Sequence, residues 1–101
     1  MDINKLMQQA QAMQKELEKT TDKINQMEFE GSASNGLVKV VINGENKVQS
    51  VNIDPSILNP DDVEMIQDLI MIAVNDAVDK ADEKKQNTFG AMASSLGIPT
   101  K

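Results

Sequence analysis

A chain of 101 residues is long enough for one domain, but alone it buries only a limited share of its surface, so help from a second copy is expected. The lack of cysteine and histidine excludes disulfides and thiolate metal sites and disfavours proton-transfer catalysis, which predicts a non-enzymatic protein without cofactors in a reducing cytoplasm. The net charge of −6 is opposite to the basic balance that is typical of nucleic-acid-binding proteins.

Residues 1–27 carry a repeat of apolar or small side chains at alternating steps of three and four. Its positions are Ile3, Leu6, Ala10, Met13, Leu17, Thr20, Ile24 and Met27. No glycine or proline interrupts the segment, which predicts a long helix. So narrow an apolar seam needs an equally narrow partner, either another helix of the same chain or the same helix of a second copy.

From Glu28 the period changes to two, which predicts β-strands over 28–33, 37–43 and 47–54. Asn35-Gly36 separates the first two runs and favours a hairpin, because both residues tolerate positive φ. The segment 43–46 forms the next turn, and Asp54-Pro55 ends the third strand because proline cannot continue a ladder. A three-stranded antiparallel meander is expected.

A second helix is predicted to begin at Asn59, with Asn59 as N-cap and Pro60 at the first helical position. It carries a broad apolar stripe and is expected to end near Asn87. The fold class is therefore α+β in the order α-β-β-β-α, with a single domain over 1–89 and a mobile tail over 90–101. Neither a signal peptide nor a membrane-spanning run is present, so no membrane association is expected.

Four motifs in this order resemble those of the YbaB/EbfC family of nucleoid-associated proteins. They are the Met/Gln/Ala-rich 7–14, the hairpin GLVKVVING at 36–44, VNIDPS at 51–56 and AVNDA at 73–77. The resemblance implies a bacterial protein that forms a tight homodimer with two projecting helical arms and binds double-stranded DNA in the nucleoid. The chain has no arginine, so bidentate guanine readout is excluded, and lysine contacts with phosphates predict little sequence specificity.

Two groups of lysines are candidates for DNA contacts, because four-residue steps align side chains along one side of a helix. They are Lys15, Lys19 and Lys23 on the first helix, and Lys80, Lys84 and Lys85 on the second. Six acids are interleaved with them, and such mixed charge is also typical of a solvated helix with stabilising ion pairs. The acids are Glu16, Glu18, Asp22, Asp79, Asp82 and Glu83. An alternative function is a scaffold that recruits a partner protein through the first helix.

Polar residues near the second helix have structural interpretations. Asn75 and Asp76 interrupt an apolar stretch without histidine or a nucleophile nearby, so we expect them to bond to the sheet or to a dimer partner. Asp54 and the acids at 61, 62 and 64 lack the alternating spacing of a calcium loop and are interpreted as caps and turns. The sequence therefore predicts no catalytic or metal-binding residue.

Overall fold

The computed structural model describes residues 2–95, which form one antiparallel sheet with a long helix before it and another after it. The elements are α1 (Ile3–Gln26), β1 (Glu28–Ala33), β2 (Val38–Asn43), β3 (Val48–Ile53) and α2 (Val63–Ser95). Two short 3-10 turns join β3 to α2. This order confirms the predicted α-β-β-β-α fold class.

The sheet is a meander in the order β1-β2-β3, with β2 in the centre. Val40 lies opposite Gly31 of β1 and Val51 of β3. Between β1 and β2, Asn35 and Gly36 have φ values of 57° and 89°, as the hairpin prediction requires. Ser34 also has a positive φ. The loop comprises four residues, 34–37, between the paired Ala33 and Val38.

The core lies between α2 and the strands β1 and β2. Its fully buried side chains are Val38, Val40 and Ile42 from β2 and Ala73, Ala77 and Ala81 from α2. Alanine at every fourth position lets the α2 backbone approach the sheet closely. A Cβ atom on Gly31 would collide with the carbonyl oxygen of Ala73 and the backbone nitrogen of Ala77, so β1 and α2 touch through their main chains here.

Helix α1 packs against the rest of the molecule at its C-terminal end. Ile24 is its one buried residue within 2–95, and a Cβ atom on Gly44 would collide with the Ile24 carbonyl oxygen. The other apolar seam positions are open: Ile3 is 70% exposed and Leu17 39% exposed. The seam therefore lacks most of the packing partner that its spacing predicts.

Two regions can be distinguished by burial. The body comprises residues 24–81, which include every buried residue of the described chain. The helical arm comprises residues 3–23 of α1 and 82–95 of α2. With the arm, the molecule measures 71 Å along its longest axis and 24 and 16 Å along the others.

Helix α2 begins as the sequence predicts but ends later. The Asn59 side chain accepts a hydrogen bond from the Asp61 N–H at 3.1 Å, Pro60 opens a 3-10 turn, and the α-helix follows from Val63. It continues beyond the expected end near Asn87 to Ser95, because the alanine and methionine after Gly90 are strong helix formers. The remainder of the predicted tail, 96–101, lies outside the described residues. Neither helix, as far as it is described, is long and apolar enough to cross a membrane.

Candidate nucleic-acid interface

The lysines of α1 lie on the exposed side of the arm. Lys15, Lys19 and Lys23 are all exposed. Lys19 is five residues from the buried Ile24, about 140° around a helix of 3.6 residues per turn. The three ammonium groups can therefore reach a ligand without disturbing the attachment of α1 to the body.

Among residues 2–95, five of the six candidate lysines have no ionic partner. The ion pairs among residues 2–95 are Lys47–Glu45 at 3.8 Å and Lys80–Asp76 at 3.4 Å. The candidates without such a pair are Lys15, Lys19, Lys23, Lys84 and Lys85. The solvated-helix interpretation expected ion pairs between these lysines and the interleaved acids. Among residues 2–95, none of these five lysines forms such a pair.

Lys80 is placed differently from the other candidates. Its Nζ atom donates a hydrogen bond to the Glu30 carbonyl oxygen at 2.8 Å, in addition to the ion pair with Asp76. These contacts tie the ammonium group to the outer edge of β1, in the body. The Lys80 ammonium group is thus held at the body, although Lys84 of the arm follows one turn later on the same helix.

Asp76 holds the same edge of β1. Its Oδ2 atom accepts a hydrogen bond from the Ser32 N–H at 3.0 Å. That bond, aided by Lys80 and opposed by partial burial, lowers the pKa of the Asp76 carboxyl. The predicted bond between this polar pair and the sheet is confirmed for Asp76, whereas Asn75 is exposed.

The sequence contains a local signal for the Asp76–Lys80 pair, which the grouping of Lys80 with Lys84 does not take into account. An acid four residues before a lysine is the favourable order for an ion pair within a helix. The bonds to Ser32 and Glu30, however, join residues 44 and 50 positions apart. They depend on how α2 crosses the sheet, which spacing along the sequence does not reveal.

Carboxylates remain close to the α1 lysines. Lys19 and Lys23 line a shallow depression together with Glu16 and Asp22. Lys15 lines a second depression with Glu18, and neither depression contains a residue of α2. Within residues 2–95, these two depressions therefore do not combine the α1 lysines with those of α2.

One of the acids between β3 and α2, Asp54, acts as a cap, as predicted. Asp54 accepts a hydrogen bond from the Ser56 N–H at 2.9 Å, and this bond lowers the pKa of the Asp54 carboxyl. Asp61 donates its backbone N–H to the Asn59 side chain. The side chains of Asp54 and Asn59 thus start the two 3-10 turns.

The two helices of the arm enclose a groove. The groove is lined by Thr88 and Met92 of α2 and by Ala12, Met13 and Thr20 of α1. The helices thus run side by side, and their lysines are carried on one projecting structure.

Comparison with known proteins identifies the family. Residues 1–96 match the model of the YbaB/EbfC DNA-binding family. The chain belongs to the YbaB/EbfC DNA-binding family. This assignment confirms the resemblance of the four sequence motifs, and the family is a DNA-binding family and not a class of enzymes.

Relatives of this YbaB/EbfC chain are nucleoid-associated proteins of diverse bacteria. A nucleoid-associated protein of Clostridium novyi is 43% identical over 98% of this chain and 87% of its own length. One from Corynebacterium kroppenstedtii is 44% identical over 95% of this chain and 96% of its own. A crystal structure of an uncharacterized protein from Helicobacter pylori superposes with a TM-score of 0.76 at 28% identity, covering 91% of this chain and 97% of that one.

Proposed function

We propose that this YbaB/EbfC protein is a non-enzymatic, single-domain DNA-binding protein of the bacterial cytoplasm that acts in the nucleoid as a homodimer. It contacts the phosphate backbone of double-stranded DNA through the lysines of the helical arm, with little sequence specificity. The observation that carries this proposal is that the five candidate lysines on the arm have no ionic partner within the described chain.

The arm suits phosphate contacts for two reasons. Lysine ammonium groups bind phosphates as point charges, and the chain has no arginine to read guanine with a bidentate fork. Burial in the arm is slight, so its side chains can adapt to a duplex without loss of core packing. Affinity is therefore expected to depend steeply on salt and weakly on DNA sequence.

The dimer places two arms on one particle. Helix α2 covers β1 and β2 but leaves apolar side chains of β3 open: Val48 is 51% exposed and Val51 is 48% exposed. Both lie in an edge strand whose outward backbone groups are also unpaired within residues 2–95. Pairing of β3 with β3 of a second copy would cover this surface in a symmetric interface.

DNA binding is tested by titrating a random duplex with the wild-type chain and two matched double variants across a salt series. Lys19→Ala/Lys23→Ala removes two arm lysines, and Lys39→Ala/Lys47→Ala removes two body lysines with the same change in net charge. The arm variant is expected to bind more weakly and to lose about one unit of the log-log salt slope per phosphate contact removed. Equal losses in both variants, or no wild-type binding at low salt, would contradict the proposal.

Dimerisation is tested by light scattering. Val51→Lys places a charge on the open apolar surface of β3 and is expected to halve the mass of the wild-type particle. Gln86→Lys adds the same charge on the arm and is expected to leave the mass unchanged. A wild-type mass equal to that of one 11.1 kDa chain would refute the dimer.

The seam of α1 supports a second candidate function, a scaffold that recruits a partner protein. Ile3, Leu6 and Met13 are 70%, 47% and 39% exposed, so this stripe is available to another helix. Crosslinking in cells from a photoreactive residue at position 11 distinguishes the two functions. Recovery of proteins after DNA has been digested favours the scaffold, and recovery of DNA favours the nucleoid protein.

A further inference from the structure

The two edges of the sheet differ in how their outward backbone groups are satisfied. At the β1 edge, Asp76 accepts the N–H of Ser32, and Lys80 donates to the carbonyl oxygen of Glu30. Along β3, by contrast, no side chain from residues 2–95 bonds to the backbone of the strand. One edge is thus occupied by side chains of the same chain, and the other is open.

The bonds at β1 occupy the groups that an added strand would use. The Ser32 N–H and the Glu30 carbonyl point away from β2, because each bonds to a side chain of α2. Ladder pairing with an incoming strand requires such outward N–H and C=O groups on alternate residues. An exposed edge that offers them is a template for association with another chain.

The core positions Asp76 and Lys80 for this role. The contact between Gly31 and the α2 backbone at Ala73 and Ala77 brings the helix against β1. Asp76 immediately precedes Ala77, and Lys80 follows one helical turn later, 3.4 Å from the Asp76 carboxylate. The ion pair joins the two side chains along the strand edge.

We infer that Asp76 and Lys80 form a lock on the β1 edge that prevents a strand of a second copy from adding to the sheet there. The strand that is kept from the β1 edge is β3 of a second copy, because every copy carries an open β3 edge of the same six-residue length as β1. Without the lock each copy would have two open edges, and pairing through both would not close, so assembly would be open-ended. This role is independent of DNA binding and of the size of the wild-type particle.

The test compares particle mass by sedimentation over a concentration series. Asp76→Ala/Lys80→Ala is expected to give assemblies larger than wild type whose mass rises with concentration. The matched variant Asp79→Ala/Lys84→Ala removes one acid and one lysine from the exposed side of α2 and is expected to keep the wild-type mass. An Asp76→Ala/Lys80→Ala protein that is folded by circular dichroism and keeps the wild-type mass would overturn the inference.

A third variant shows whether the new contact uses the β1 edge. Ser32→Pro, added to Asp76→Ala/Lys80→Ala, removes the outward N–H without removing a bond to β2, since proline is tolerated on edges that face solvent. It is expected to restore the wild-type mass, and persistence of the large assemblies would overturn the inference. If the double variant loses its helical signal, Lys80→Ala alone provides the test. This single variant keeps the bond between Asp76 and Ser32 but frees the Glu30 carbonyl oxygen. A wild-type mass for Lys80→Ala would count against the lock.

Discussion

The body and the arm are built in part from the same helices, yet they differ in what covers their side chains. In the body, α2 presents alanines that are completely buried against β1 and β2. In the arm, the same helix and α1 present lysines, acids and apolar side chains that are exposed or only partly covered. The packing that stabilises the fold thus lies in the body, whereas the proposed DNA contacts lie in the arm, so each region should respond to its own substitutions.

Glycine to alanine substitutions should give the sharpest contrast between the two regions. Gly31→Ala inserts a Cβ atom against the backbone of α2, which cannot move aside without separating helix from sheet. We expect it to lower the free energy of unfolding by about 4 kcal/mol, above the usual range for overpacking because backbone atoms are involved. Urea denaturation followed by circular dichroism measures the change.

Gly90→Ala is the matched substitution in the arm. Apart from the backbone of its own helix, no atom of the described residues lies within 4 Å of the Cβ position, and Gly90 sits inside a helix, where alanine is preferred. It should raise helix stability by up to about 1 kcal/mol. If both substitutions shift the urea midpoint in the same direction, the division between a packed body and an open arm is wrong.

Isoleucine to alanine substitutions should give the next largest contrast. Ile42 is 0% exposed and Ile3 is 70% exposed. Ile42→Ala should cost about 3 kcal/mol through lost burial and a residual cavity. Ile3→Ala should stay within about 0.5 kcal/mol, as for most surface substitutions. Thermal unfolding of both variants provides the comparison, and a large loss for Ile3→Ala would reveal a partner on the seam.

The elements of the fold were predictable because their signals are local. The heptad of α1, the alternation in the strands, the Asn35-Gly36 turn and the Asn59-Pro60 helix start each depend on neighbouring residues. The extension of α2 to Ser95 was not predicted, because Gly90 and the small residues after it resemble a tail. Their propensities, summed over the segment, still favour a helix.

The candidate site was predictable in composition but not in arrangement. Four-residue spacing places Lys15, Lys19 and Lys23 along one side of α1. The same spacing on α2 groups Lys80 with Lys84, although Lys80 bonds to β1. The distinction arises from the contact of Gly31 with Ala73, a tertiary approach that no local pattern encodes.

The smallest effect that we expect is a pH dependence in the body due to Asp76. The hydrogen bond from Ser32, with a contribution from Lys80, depresses the pKa of this carboxyl in the folded chain. A depressed pKa means that folding favours the ionised form, so the stabilisation is present above the pKa of the unfolded chain and is lost as the pH falls through the folded value. Because the side chain is 38% exposed, solvent screening keeps the effect modest.

The measurement is the difference in melting temperature between wild type and Asp76→Asn at pH 7 and at pH 3. Asparagine keeps an acceptor for Ser32 but cannot ionise, so wild type should be the more stable at pH 7 and should lose most of that advantage at pH 3. Asp79→Asn, on the exposed side of the same helix, should show no comparable change between the two pH values. A pH-independent difference for Asp76→Asn would mean that the carboxyl holds β1 by its shape and hydrogen bonding alone, with no contribution from its charge.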